Sequence, residues 1–89
     1  MNLFYTKKFS KDLEHIENKP DLKKRLLKLI EQMKQVGSLY EIDAVRKIQG
    51  YENYYRIRIG DYRLGIKATK NGIEILRILH RKDIYRWFP

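Results

Sequence analysis

The chain has 89 residues, with 20 Lys and Arg against 11 Asp and Glu, a formal net charge of +9 and no cysteine. That length bounds it to one domain spanning residues 1–89, while the missing thiols exclude a disulfide framework and a thiolate metal site. No apolar run approaches the roughly 18 residues of a membrane span, and the excess of cations favours a nucleic acid, an acidic protein or an anionic surface as partner.

A hydrophobic content of 43% with 5 Gly and 2 Pro fits an ordered globule. The segment from Met1 to Lys8 has no apolar core of signal-peptide length, so the expectation is a soluble, cytoplasmic protein. In chain order, residues 2–5 form a short strand candidate. Thr6 is placed to cap a helix running to about Asn18, with Phe9, Leu13 and Ile16 on one face. Lys19-Pro20 interrupts it, because the residue before proline is pushed out of the helical region. A second helix follows from Pro20 to about Val36, with Leu22, Leu26, Leu29, Ile30 and Met33 as its stripe and Gly37 as its stop. Lys23, Lys24, Lys28 and Lys34 read as its solvated side. The two helices are expected to form an αα-hairpin. Residues 38–53 show no clear period, and whether Glu41–Ala44 is a helical turn stays open.

From Tyr54 to Arg63 the chain alternates apolar and basic residues about Gly60-Asp61, a two-residue loop that closes a β-hairpin. The register then sets Ile59 against Tyr62, Arg58 against Arg63, Ile57 against Leu64 and Arg56 against Gly65. One face carries Tyr55, Ile57, Ile59, Tyr62, Leu64 and Ile66; the other carries Tyr54, Arg56, Arg58, Arg63 and Lys67. Facing arginines destabilise a strand pair, which points to a polyanion for that face. A second turn at Lys70-Asn71-Gly72 leads into Ile73–His80. A two-residue Asn-Gly loop would turn Arg77 inward, opposite Ile66. A three-residue loop sets Leu76 against Ile66, Ile78 against Leu64 and Arg77 beside Arg56 and Gly65, and is preferred because it keeps Arg77 out of the core. Residues 81–89 read as a helical turn. The fold class is α+β: strand-helix-helix-strand-strand-strand, an antiparallel sheet of about four strands with the helices on its apolar face.

The run Tyr55-Arg56-Ile57-Arg58-Ile59-Gly60-Asp61-Tyr62-Arg63-Leu64, followed by Ile75-Leu76-Arg77-Ile78-Leu79-His80-Arg81-Lys82-Asp83-Ile84-Tyr85, resembles the RelE/ParE superfamily of toxins from bacterial type II toxin–antitoxin systems. The resemblance implies a microbial-ribonuclease-like fold and one of two activities. RelE-like members are metal-independent endoribonucleases that cut mRNA, most often in the ribosomal A site; ParE-like members poison DNA gyrase. A cognate acidic antitoxin neutralises either kind in a hetero-oligomer. By the resemblance, Arg56 and Arg58 stand at the paired basic positions before the turn, Arg63 just after it, Arg81 at the end of the last strand and Tyr85 a few residues on. All five being filled favours the ribonuclease branch.

The best-known RelE-type pattern has lysines where Arg56 and Arg58 stand. Arginine stays charged and does not act as an ordinary general base, so these two are read as charge stabilisers. His80 and Tyr85 remain for proton transfer, with Tyr85 alternatively stacking on a splayed base. Arg77, Lys67, Lys82 and Tyr54 complete the expected RNA-binding set. Trp87 and Phe88 are expected to cover the sheet edge, and Asp83 to cap the last turn or pair with Arg81 or Lys82. The isolated His15 and His80 argue against a zinc site, no Gly-rich phosphate loop is present, and no cofactor is expected. A decayed, non-catalytic binding module is the third reading.

Overall fold

A computed structural model describes all residues, Met1–Pro89. Its elements are β1 (Leu3–Tyr5), α1 (Lys7–His15), α2 (Pro20–Gln35), a 3₁₀ turn (Leu39–Glu41), β2 (Val45–Lys47), β3 (Tyr54–Ile59), β4 (Tyr62–Thr69), β5 (Gly72–His80) and α3 (Ile84–Trp87). They build one five-stranded sheet in the order β1-β5-β4-β3-β2. Two details differ from the sequence expectation. β2 is an additional edge strand, antiparallel to β3, and β1 runs parallel to β5, so the sheet is mixed. Both edge strands are three residues long, which limits the unpaired backbone offered to other chains.

The helices start where local chemistry places them. The Thr6 hydroxyl accepts from Phe9 N–H at 3.1 Å, and Pro20 occupies the first position of α2, where its missing N–H costs nothing. Ser38 and Glu41 form a capping box around the 3₁₀ turn, which ends at Glu41, so the helical turn precedes the Glu41–Ala44 segment left open in sequence. Phe9 and Ile16 from the first helical segment and Leu26, Ile30 and Met33 from α2 meet Ile57, Ile59, Leu64, Ile66, Ile73, Ile75 and Ile78 in one core. Fully burying an aliphatic side chain contributes roughly 1.5–3 kcal/mol, so this layer is the main source of stability.

The β3–β4 register is the expected one, residue for residue, from Tyr54↔Lys67 to Ile59↔Tyr62. Gly60, with φ +58°, takes the first central position of the turn. The β4–β5 pair combines two registers. Next to the turn, Thr69 faces Gly72 and Ile66 faces Ile75; beyond an irregularity, Gly65 faces Arg77 and Leu64 faces Ile78. Leu76 is the extra residue, so it does not face Ile66 as expected. The cause is the spacing of the isoleucines: Ile73 and Ile75 are two apart and Ile78 three further on, and all three are buried. A bulge at Leu76 keeps each of them inward, which an unbroken period of two would not.

Candidate active site

Alternation places a basic row on the sheet face opposite the helices. Arg46 faces Arg56 across β2 and β3, Arg56 faces Gly65, and Gly65 faces Arg77. A second like-charge pair, Arg58 with Arg63, sits one step nearer the turn. Arg46, Arg56, Arg58 and Arg63 line one cleft of about 230 Å³ together with Ala44 and Tyr85, and no carboxylate lines it. Cross-strand like charges cost stability, so two such pairs opening on one cleft describe a surface built for an anion.

Tyr85 reaches this cleft from α3. Ile84 and Phe88 on either side of it are buried, whereas Tyr85 is 69% exposed. The Arg56 guanidinium stands over the Tyr85 ring at 4.6 Å from its centroid, a cation–π contact that fixes both groups. Phe88 lies flat enough on β4 that a Cβ at Gly65 would come within 2.7 Å of its ring. The glycine is therefore what lets α3 dock on the sheet face rather than beside the sheet edge, where the sequence reading put Phe88. Arg63 donates from Nη1 to the carbonyls of Gly60 and Tyr62, both at 2.9 Å. That holds its guanidinium across the turn and leaves Nε and Nη2 for a ligand.

Three expected roles need correction, and a fourth is narrowed. His80 pairs with Tyr62, on the inner face, and their rings meet edge to face at 5.3 Å. Its Nδ1 accepts from Lys82 N–H at 3.1 Å. It opens on a different hollow, with His15, Asp12 and Asp83, and not on the arginine cleft. Arg81 does not line the cleft. It leaves the end of β5 at the hairpin turn, where its N–H donates to the Asp61 carbonyl at 2.7 Å and its Nε stands 3.6 Å from the Asp61 carboxylate; both side chains are largely exposed, so the ion pair contributes little.

Arg77, expected in the RNA-binding set, has one edge of its guanidinium held by the fold. Its Nε and Nη2 donate to the two oxygens of Asp12 at 2.8 and 3.0 Å, and Asp12 also accepts from Ile78 N–H at 3.1 Å. Asp12 thus occupies the edge of β5 where β1 has ended. The hydrogen bond to Asp12 raises the Arg77 pKa above its ordinary value, against the opposing effect of burial. Asp83 begins α3 with its carbonyl, not its carboxylate, which makes no cap bond and pairs with neither Arg81 nor Lys82. Tyr54 and Lys67 do lie on the outer face, with the Lys67 ammonium 5.2 Å from the Tyr54 centroid. Lys82 is exposed between β5 and α3. Arg46 is the residue missed in sequence; its strand is too short to show an alternation.

Comparison with known proteins places this architecture. The family model described as ParE toxin of type II toxin-antitoxin system, parDE, matches residues 3–85. The chain is 42% identical over 90 residues to Toxin RelE3 of Methanocaldococcus jannaschii, covering 100% of both chains. The solved RelB-RelE antitoxin–toxin complex from Methanococcus jannaschii superposes with a TM-score of 0.82 at 42% identity, over 97% of this chain and 99% of that one. YafQ from E. coli shares the fold at a TM-score of 0.69 and 18% identity, over 94% and 97% of the two chains. The basic, short, antiparallel-hairpin domain described above thus belongs to the RelE/ParE superfamily of toxins of type II toxin–antitoxin systems.

Proposed function

We propose that the protein is a metal-independent endoribonuclease that cleaves mRNA, acting on the ribosome, and that a cognate acidic antitoxin holds it inactive. The observation that carries this reading is the cleft itself: four arginines and one tyrosine around a space free of carboxylates. The RelB-RelE, DinJ-YafQ and YoeB-YefM assemblies are complexes of this fold with an antitoxin, which supports the second part.

The chemistry follows from what the cleft contains. The substrate's own 2′-oxygen attacks the adjacent phosphorus, the bond from phosphorus to the 5′-oxygen breaks, and the products are a 2′,3′-cyclic phosphate and a 5′-hydroxyl. Negative charge grows on the phosphoryl oxygens along the way. Arg56, Arg58, Arg46 and Arg63 offer fixed donors to that charge, the term that usually dominates catalysis. Tyr85, held against Arg56, supplies the proton to the departing 5′-oxygen, and the 2′-hydroxyl proton passes to solvent.

The double substitution of Arg56→Ala with Arg63→Ala tests the reading. It should abolish growth arrest and RNA cleavage while antitoxin binding survives, as followed by primer extension on cellular mRNA with translation on and off. Full toxicity in that variant would sink the assignment. Arrest with intact mRNA and inhibited supercoiling would instead mark a gyrase poison.

A further inference from the structure

Beside the arginine cleft, on the same sheet face, lies a second hollow of about 190 Å³ lined by Thr6, Lys8, Tyr54, Leu76, Arg77, Trp87, Phe88 and Pro89. Pockets for drug-sized ligands run to roughly 300–1,000 Å³; this one is the scale of a single flat ring system. We propose that it is a nucleobase subsite, receiving the base of a nucleotide adjacent to the phosphate held in the arginine cleft. The inference rests on the ribonuclease reading and adds a place where the substrate's bases are sensed.

Three features point to a base as the occupant. The walls are aromatic: Tyr54 and Phe88 pack at 5.9 Å between ring centroids, and Trp87 stands 59% exposed at the rim. Trp87 meets no other aromatic ring in the molecule, and its one ring contact is the Arg86 guanidinium at 5.8 Å. Exposed aromatics on a basic face are the usual platform for unpaired bases.

The polar rim is cationic. Lys8 and Arg77 contribute to the lining and no Asp or Glu side chain does. Asp12 takes only Nε and Nη2 of Arg77, so Nη1 keeps its two N–H donors for the edge of a base. An apolar side chain from a partner would gain nothing from these charges.

The hollow is also in line with the cleft. Arg46, Arg56, Gly65 and Arg77 form one row across four strands, about 14 Å at the usual strand spacing. Phe88 sits over Gly65 in the middle of the row and divides the two spaces. α3 straddles the division, with Tyr85 in one space and Trp87 in the other. A single strand whose phosphate enters the cleft therefore has its neighbouring base within reach of Trp87. Leu76, the extra residue of the bulge, itself lines the hollow.

Trp87 is the sole tryptophan, so with free RNA its fluorescence reports this site alone, and binding on ribosomes is read by affinity. The probe is an mRNA fragment blocked by 2′-O-methylation at the cleaved position, with either an intact or an abasic neighbour, presented free and on ribosomes. The intact probe should quench Trp87 and bind more tightly than the abasic one by roughly 5- to 150-fold, the loss of one base–aromatic stack. Trp87→Ala should weaken the intact probe by the same factor and leave the abasic probe unchanged, with Trp87→Phe restoring most of the difference and antitoxin binding serving as the control for folding. Equal binding of both probes without quenching, in a protein that still cleaves RNA, overturns the subsite and leaves the ribonuclease reading standing. Absence of any RNA binding or cleavage, with Trp87 quenched by the antitoxin alone, overturns both and makes the hollow a partner contact.

Discussion

At the scale of single residues, Asp12 on α1 and His80 at the end of β5 show how far a side chain's meaning depends on the neighbours the fold brings to it. Asp12 is 5% exposed and satisfies three donors, two from Arg77 and one from the Ile78 backbone. Asp12→Asn keeps the volume but removes the charge and one acceptor. Breaking one member of a buried pair costs 3–5 kcal/mol; with Arg77 partly in solvent, a loss of about 2–3 kcal/mol is expected in urea unfolding. The Arg77 pKa, raised in the folded state, makes the complementary statement. That side of the pair contributes fully below the unfolded arginine value and is lost only as pH climbs through the raised one. His80→Gln tests the corrected assignment from the other direction. A proton-transfer residue is worth typically 10²–10⁴-fold, and a change well short of that is expected in single-turnover cleavage. Parity carried this information in the sequence: once Arg58 faces Arg63, Tyr62 points inward and His80 points inward with it. No local signal marks Asp12, since its partners lie more than sixty positions away along the chain.

At the scale of elements, α3 is four residues long and is held by its ends. Ile84 and Phe88 bury themselves, and Tyr85 between them is delivered to the cleft. Gly65→Ala should push the Phe88 ring off β4, since the new methyl would overlap it. The ring belongs to a terminal turn and yields more easily than a central strand. The stability cost should then stay near the low end of the 1–3 kcal/mol usual for overpacking. Displacing Tyr85 by an ångström can cost up to roughly 10²-fold in rate. Cleavage falling far more than the urea midpoint is the expected pattern. The hairpin was legible because turn chemistry and alternation agreed over ten residues. β2 was not, because three residues carry no period, and β1 gave no hint that it would pair in parallel. The bulge was present in sequence as the uneven spacing of Ile73, Ile75 and Ile78, a pattern that either turn length alone would have violated.

At the scale of the molecule, the charge of +9 is concentrated in function on one sheet face, although α2 carries lysines on its wet side. The two sets should separate by salt. For single-stranded RNA each neutralised phosphate adds about 0.7 to the slope of log affinity against log salt. Arg46→Ala should therefore lower the slope by about 0.7, whereas Lys24→Ala should leave it unchanged, in titrations of one RNA across salt concentrations. No helix is long or apolar enough to cross a membrane. The sheet divides its labour by alternation: the inward positions of β3, β4 and β5 hold the core, and outward ones line the arginine cleft. A chain arranged in this way can drift in what it recognises without drifting in what it is. Exchanges at outward positions such as Arg56 and Arg58 would touch no inward residue, so recognition can change while the fold stays superposable.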